Sequence, residues 1–120
     1  PDQIADLPMR LLAAEVTREK LMLRLHQELP YQLMVETESW EEKKDGSVRV
    51  QQVVVVGRDN HKSMVLGKGG AAIKDVGRKA REELSEMLGR KVHLFLFVKV
   101  DERWQERRES YQGLGLEFDV

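Results

Sequence analysis

The sequence of 120 residues contains no cysteine, which excludes disulfide bonds, thiolate metal sites and cysteine nucleophiles. It has no apolar run close to the roughly 18 residues of a membrane-spanning helix, and no charged-then-apolar signal peptide opens it. Proline is scarce at 3 residues, and aromatic residues make up only 6% of the chain. These absences favour a cytoplasmic protein that is held together by an ordinary hydrophobic core.

An excess of one sign of charge is also missing, because 20 Lys and Arg residues face 21 Asp and Glu residues. The net charge of −1 argues at first against a nucleic-acid partner. The charge is unevenly distributed, however. Residues 61–91 hold 8 basic and 4 acidic residues, whereas residues 1–60 and 92–120 carry net charges of −3 and −2. Affinity for nucleic acid follows local phosphate contacts, so the neutral total does not exclude such a partner.

The length suits one domain, and the hydrophobic pattern predicts its elements in the order α-β-β-α-α-β. Ala14, Leu21, Leu25 and Leu29 recur at helical spacing, with Leu11, Leu12 and Val16 widening the stripe. The predicted helices cover residues 9–29, 61–66 and 71–88, the strands cover 31–42, 48–56 and 92–100, and a short helix covers 104–111 of the tail. Asn60 is the expected N-cap of the second helix.

Three local features refine the predicted strands. Asp45-Gly46 lies between the first two strands and is typical of a β-hairpin turn. The β-branched run 53–56 indicates a strand that is covered on both faces. Strict alternation places Glu36, Glu38 and Trp40 on one face, which we expect to be exposed. For Trp40 itself, packing in the core or against the tail is favoured over base stacking.

The sharpest feature is Gly67-Lys68-Gly69-Gly70, which joins two predicted helices. A tight helical corner explains such glycines without any ligand. A P-loop is excluded because Lys68 is followed by Gly69 instead of Ser or Thr. Gly67, Gly69 and Ala72 formally match the dinucleotide fingerprint G-x-G-x-x-A, but no strand leads directly into the loop and only three strands are predicted.

The remaining interpretation is a G-x-x-G clamp between two helices, which in KH domains holds about four single-stranded nucleotides. Backbone amides of the loop and of the following helix can bind phosphates there. The predicted order α-β-β-α-α-β is that of the bacterial, type II version of the fold. The glycine loop and the element order together therefore favour single-stranded RNA as the ligand.

Several segments resemble the C-terminal KH domains of the Era family of bacterial ribosome-assembly GTPases. The resemblance extends from about Asp2 to Phe118. It rests on these segments: 12–15, 18–21, 28–31, Val65-Leu66-Gly67-Lys68-Gly69-Gly70, Ile73-Lys74, Val76-Gly77, Ala80-Arg81, and Val92–Val100 followed by Trp104.

The resemblance implies an α+β fold of KH type II, with a three-stranded mixed sheet and helices packed on one face. It implies binding to the 3′ end of 16S rRNA during assembly and maturation of the small ribosomal subunit, and no binding to DNA. The implied clamp is Gly67, Lys68, Gly69 and Gly70, the flanking phosphate contacts are Lys62 and Lys74, and the apolar floor is Val65, Leu66 and Ile73.

The resemblance also implies that this chain is a fragment. The family's N-terminal GTPase domain is missing, so residues 1–8 are expected to be a linker remnant and residues 9–120 the KH domain with a C-terminal tail. No enzymatic activity is expected of this chain, and GTP and Mg belong to the missing domain. The full-length protein is expected in the cytoplasm, with peripheral inner-membrane association an open alternative.

No other chemistry is indicated. His26, His61 and His93 lack the spacing of metal ligands, and no serine or carboxylate pair has a catalytic context. His61 is expected at the surface. The alternative to RNA binding is a protein-interaction module whose groove holds a peptide or the partner domain. An enzyme is the weakest of the three interpretations.

Overall fold

The computed structural model describes residues 2–25 and 33–104. Its elements are α1 (Asp2–Leu25), β1 (Leu33–Glu42), β2 (Val48–Val56), α2 (Asp59–Leu66), a 3₁₀ turn (Lys68–Gly70), α3 (Ala71–Leu88) and β3 (Val92–Val100). The predicted order α-β-β-α-α-β is confirmed. The predicted end of the first helix at residue 29, the strand start at residue 31 and the tail helix beyond Trp104 lie outside the described residues.

Helix α1 begins at Asp2, seven residues before the predicted start, and Pro8 lies inside it. The predicted start at residue 9 is wrong because proline and the mixed residues before it hide the helical pattern. Along the helix, Leu21 and Leu25 are buried as predicted. Leu11, in contrast, is 59% exposed and does not belong to the buried stripe.

The sheet has the strand order β1-β2-β3 and is mixed, as predicted. Strands β1 and β2 form an antiparallel hairpin, whereas β2 and β3 are parallel. Because parallel neighbours need a crossover connection, α2, the 3₁₀ turn and α3 all lie between β2 and β3. The glycine loop therefore lies midway along this crossover.

The described helices pack on one face of the sheet. The alternate residues of β2 on that face are completely buried: Val48, Val50, Gln52, Val54 and Val56. They form the core with residues of α1 and α3, among them Leu21, Val76 and Leu84. Burial of such side chains stabilises the fold by about 1.5–3 kcal/mol each.

A β-bulge at Glu38 changes the phase of β1. Thr37 pairs with Gln52, and Ser39 already pairs with Gln51, so Glu38 is the extra residue. Trp40 consequently points to the helices and is only 7% exposed. Its expected position on the same face as Glu38 is wrong, while the expectation that it packs in the core is confirmed.

A chain of buried hydrogen bonds connects α1 to the sheet. The Thr17 hydroxyl donates to Gln52 Oε1 at 2.6 Å, and Gln52 Nε2 donates to Thr37 Oγ1 at 3.2 Å. Thr37 Oγ1 in turn donates to the backbone carbonyl of Arg10 at 2.8 Å. Each polar group in this interior chain therefore has a partner, as burial demands.

The second face of the sheet carries no helix among the described residues. Val53 and Val55 point to this side and are nevertheless only 6% and 5% exposed. In the sheet register, Glu36 and Phe97 flank Val53 on the two sides. The predicted burial of the run 53–56 is thus confirmed, and in the described part of the chain the neighbours of Val53 on its second side belong to β1 and β3.

Candidate nucleic-acid interface

The glycine loop follows α2 and has a backbone that only glycine adopts readily. Gly67, Gly69 and Gly70 have φ values of 74°, 63° and 79°. At Gly67, a Cβ atom would also lie 2.6 Å from the Cβ of Ala72, so α2 and α3 approach too closely for any side chain there. At Gly69 and Gly70 the space around a Cβ is open, and the loop tip faces outward.

The loop presents donors to its open side. The Gly70 N–H donates to the Gly67 carbonyl at 3.0 Å, and the Ala71 N–H donates to the carbonyl of Lys68. The amides of Lys68 and Gly69 precede this first hydrogen-bonded turn, where helical N–H groups lack intrahelical partners. Gly70 caps α3 without a side-chain hydrogen bond. The partial positive charge of a helix start therefore faces the loop.

A groove of about 280 Å³ lies between α3 and β3. Its lining residues are Ile73, Lys74, Gly77, Arg78, Arg81, Leu94, Phe95 and Leu96. Ile73, Gly77 and the leucines supply an apolar floor, and the cationic side chains of α3 supply one rim. In the described part of the chain, β3 pairs only with β2, so its outer backbone edge borders the groove.

The cations near the groove fall into two groups. Arg78 and Lys79 both bind the carboxylate of Asp75 at 3.1 Å, and Arg24 binds it at 3.3 Å. The hydrogen bond from Lys79, followed by the neighbouring arginines, lowers the pKa of Asp75 below its ordinary value. Lys79 therefore belongs to an ion pair on the surface of α3 and does not line the groove.

The second group of cations is free to meet a ligand. Among the described residues, Lys62, Lys68, Lys74 and Arg81 make no ion pair. Lys68 and Lys74 are exposed on the loop and on the first turn of α3. Lys62 is partly buried on α2. Three of the four were selected from the sequence.

The predicted apolar floor needs correction. Val65 is completely buried and packs with Leu21 and Leu25 in the core. It has no surface that a base could contact, so its assignment to the floor is wrong. Ile73 lines the groove, whereas Leu66 is partly buried at the end of α2, before the loop.

Gly77, Arg81, Leu94 and Leu96 share the groove with Ile73 but were not among the predicted contact residues, although Gly77 and Arg81 belong to segments that carry the family resemblance. A signal for two of them was present, because Ile73, Gly77 and Arg81 are four residues apart and so lie on one face of a helix. Leu94 and Leu96 could not be paired with that face before the position of β3 was known.

Helix α2 leads into the loop and differs from the prediction at its start. It begins at Asp59, its N-cap is Arg58, and no side chain caps it. The predicted Asn60 cap is therefore wrong. His61 is partly buried, and its Nδ1 atom is enclosed without a hydrogen-bond partner. Burial, together with the charge of Arg58, lowers the pKa of His61, which favours the neutral imidazole.

The described residues contain no group of three or more His, Cys, Asp and Glu side chains placed to hold a metal ion. They also contain no helix that is long and apolar enough to cross a membrane.

A larger depression of about 500 Å³ lies between α1 and α3, lined by Lys20, Leu23, Arg24, Lys79 and Glu82. It shares no lining residue with the groove beside β3. Its cations are bound by carboxylates, for example Lys20 by Glu83 at 2.6 Å. The hydrogen bond to Glu83 raises the pKa of Lys20 and so favours its protonated form. Lys62, Lys68, Lys74 and Arg81, which make no ion pair within the described ranges, do not line this depression.

A glycine loop between two helices, a basic-rimmed apolar groove and a mixed three-stranded sheet define a KH domain of type II. The KH domain family matches residues 28–105, and the chain belongs to this family.

Within the family, the chain is similar to the protein named GTPase Era. It is 65% identical over 117 residues to GTPase Era of Dinoroseobacter shibae and 60% identical over 119 residues to that of Maricaulis maris. These alignments cover 98% and 99% of this chain and 38% of each relative. The chain thus spans about 38% of the length of the curated relatives it matches, and this portion is a KH domain.

Two solved structures show the same fold. One is Aquifex aeolicus Era, as a variant bound to GDP and AlF4⁻, and the other is Era in complex with MgGDPNP and nucleotides 1506–1542 of 16S ribosomal RNA. Each has a TM-score of 0.78 and 38% sequence identity, covering 89% of this chain and 36% of the other. The resemblance and the KH type II fold predicted from the sequence are both confirmed.

Proposed function

We propose that this domain binds single-stranded RNA in the groove between α3 and β3, with the glycine loop as the phosphate clamp. The carrying observation is that the outward-facing loop leads directly into the start of α3, where Ile73 and the unpaired Lys74 line the apolar groove. The solved complex of an Era relative with 16S ribosomal RNA supports the same class of ligand.

The loop would hold the RNA backbone. Lys68 and the amides of the loop would bind phosphate oxygens, and the start of α3 would add its positive dipole. Lys62 and Lys74 would contact the neighbouring phosphates on the two sides. Such contacts position the strand without selecting its sequence.

The groove would read the bases. Its apolar floor accommodates flat bases, and the outer edge of β3 offers backbone donors and acceptors to their Watson–Crick edges. About four nucleotides fit a KH clamp of this kind. Arg81, at the far end of the α3 rim, would contact the last phosphate.

The specific ligand we propose is the 3′ end of 16S rRNA, and the process is assembly and maturation of the small ribosomal subunit. In a full-length protein, the nucleotide state of a GTPase domain would control access to the groove, with GTP and Mg bound by that domain. Such a protein would act in the cytoplasm. Its peripheral association with the inner membrane stays a prediction.

The test replaces Lys68 and Gly69 with aspartate. Carboxylates at a helix start are compatible with the fold, and aspartate tolerates positive φ better than most residues, so the melting temperature should fall by only a few degrees. Affinity for an oligonucleotide from the 16S rRNA 3′ end should fall at least 100-fold, measured by fluorescence anisotropy.

The matched control is Lys44→Asp, which makes a charge change at the exposed hairpin turn. It should leave RNA affinity within about twofold of the wild type. Undiminished binding by the double aspartate variant would contradict the clamp and would favour the groove as a site for a peptide.

A further inference from the structure

Phe95 and Phe97 are two large aromatic side chains on the helix-free face of the sheet. They are 43% and 52% exposed, which is unusual for phenylalanine. Both lie on β3, separated by one residue, so both rings project from the same face. Leu94 and Leu96 occupy the alternate positions of β3, so they point towards the helices and line the groove.

The groove and this face meet at Phe95. Its side chain belongs to the lining of the groove and also to the row of β3 residues on the open face. A strand that leaves the groove across the edge of β3 therefore reaches Phe95 first and Phe97 next. Two residues of a strand span about 6.6 Å, about twice the 3.4 Å repeat of stacked bases, so each ring has room for one base.

The charges around the two rings are positive on the side of β2 and β3. The guanidinium carbon of Arg49 lies 4.6 Å from the centroid of the Phe95 ring, and Lys99 follows Phe97 on the same face. Carboxylates such as Glu36 lie on β1, across the sheet. A polyanion is therefore attracted to the aromatic half of the face and repelled from the other half.

We propose that Phe95 and Phe97, with Arg49, form a stacking platform that binds further nucleotides of the same RNA after it leaves the groove. Aromatic rings and arginine planes are the groups on which splayed bases stack in sheet-based RNA recognition. The inference rests on the proposed RNA-binding function and extends it from about four nucleotides to six or more. With this platform, the domain should bind long single strands more tightly than tetranucleotides.

The experiment uses nested oligonucleotides from nucleotides 1506–1542 of 16S rRNA, the segment in the relative's complex. The shortest one that binds the wild-type domain defines the groove ligand, and it is then extended by four nucleotides at either end. One of the two extensions should tighten wild-type binding. Phe97→Ala should lower the affinity for the extended oligonucleotide by about 5- to 100-fold, which is typical of the loss of one stacked base. The affinity for the short ligand should stay unchanged.

Three further samples sharpen the test. Phe97→Trp should retain the gain, because indole also stacks. Abasic nucleotides in the extension should abolish the gain in the wild type and cost less in Phe97→Ala, where only the base on Phe95 is left to lose. The matched control is Leu23→Ala, which truncates an apolar side chain of α1 that is 65% exposed, and it should bind every oligonucleotide like the wild type.

The outcomes separate the two proposals. If the wild type binds no oligonucleotide, the proposed function fails and the platform fails with it. If the short ligand binds but neither extension tightens wild-type binding, or Phe97→Ala keeps the full gain, only the platform is overturned. A change in oligomeric state of Phe97→Ala by sedimentation, with unchanged RNA affinity, would assign the face to a second copy of the chain.

Discussion

Gly67 and Gly77 both lie beside the groove, yet a side chain would act differently at each. At Gly67 a Cβ atom would collide with Ala72 at 2.6 Å, so packing of α2 against α3 requires glycine. At Gly77 a Cβ would lie 3.5 Å from Leu96 Cδ1, an ordinary contact, and φ is helical. Glycine in a helix interior costs about 1 kcal/mol relative to alanine, so packing does not explain Gly77.

We expect Gly77→Ala to stabilise the domain and weaken RNA binding. The gain in the free energy of unfolding should be about 0.5–1 kcal/mol, from the higher helix propensity of alanine. The added methyl group would stand on the floor of the groove and reduce RNA affinity several-fold. Urea denaturation and anisotropy measure the two effects.

Met87→Ala provides the control for Gly77→Ala. Met87 is on the same helix, 51% exposed and outside the groove. Truncation of its side chain should change neither the free energy of unfolding nor the RNA affinity appreciably. Equal RNA affinity of Gly77→Ala and the wild type would show that bases do not approach the helix at this point.

At the level of residues, the sequence predicted the loop and its lysines better than the groove floor. The sequence 64–66 is apolar throughout, so nothing in it separates Val65, which enters the core, from its neighbours. The distinction depends on the rotation of α2 against α1, where Val65 meets Leu21. Ile73 lies in the first turn of α3, next to the loop, and lines the groove, so its predicted contact with a base stays a prediction.

Among the elements, α1 is attached to the sheet by a polar contact as well as by apolar packing. Gln52 is completely buried in the middle of β2, and Thr17 supplies the donor for its side-chain oxygen. The two groups are 35 residues apart in sequence. This pair fixes the position of α1 along β2 more specifically than apolar side chains alone can.

We expect Thr17→Val to destabilise the domain by about 1–3 kcal/mol, because it leaves a buried oxygen of Gln52 without a donor. Thr17→Ser keeps the hydroxyl and should cost less. Adding Gln52→Leu to Thr17→Val should recover part of the loss, since the unpaired oxygen is then removed. Chemical denaturation of the four proteins forms the measurement.

Under conditions in which all four proteins are fully folded, their RNA affinities should be equal, because none of the changed residues lines the groove. A Thr17→Val domain as stable as the wild type would mean that the hydrogen bond to Gln52 contributes no net stability.

The elements themselves were largely predictable. The alternation and the helical periods located every described helix and strand, and Gly89 ends α3 in the left-handed conformation, as glycine commonly does. The bulge at Glu38 was not predictable, since an inserted residue leaves no local signal in an alternating strand. The start of α2 was misplaced because Asn60 is a good cap by type, while Arg58 occupies the position.

At the scale of the whole molecule, the charge is arranged so that the groove is positive within a chain of net charge −1. Asp75 pairs with Arg24, Arg78 and Lys79, while Lys68, Lys74 and Arg81 make no ion pair with another described residue. Two of these three, Lys74 and Arg81, line the groove. Sequence counting located the basic segment, but only the fold shows which of its cations are paired.

The salt dependence of binding should report this arrangement. Four phosphate contacts on a single strand predict that log affinity falls with log salt at a slope of about −3. Arg81→Ala should reduce the slope by about 0.7, the contribution of one contact, and Lys44→Ala should not change it. Titrations at several KCl concentrations measure these slopes, and a flat profile would contradict phosphate binding and favour a peptide ligand.

The crossover between β2 and β3 also determines when the binding surface comes into existence. The hairpin β1-β2 joins neighbouring segments and can form early, whereas parallel pairing of β3 must wait for closure of a long loop. One wall of the groove is α3 and the other is β3, so the groove is absent from any folding intermediate that lacks this pairing. A ligand in the groove would bridge the last two parts to assemble. A ligand bound in the groove would therefore slow unfolding more than it speeds folding. The complex with such a ligand would stay folded longer, because separation of β3 from β2 would first require loss of the ligand's contacts to one wall of the groove.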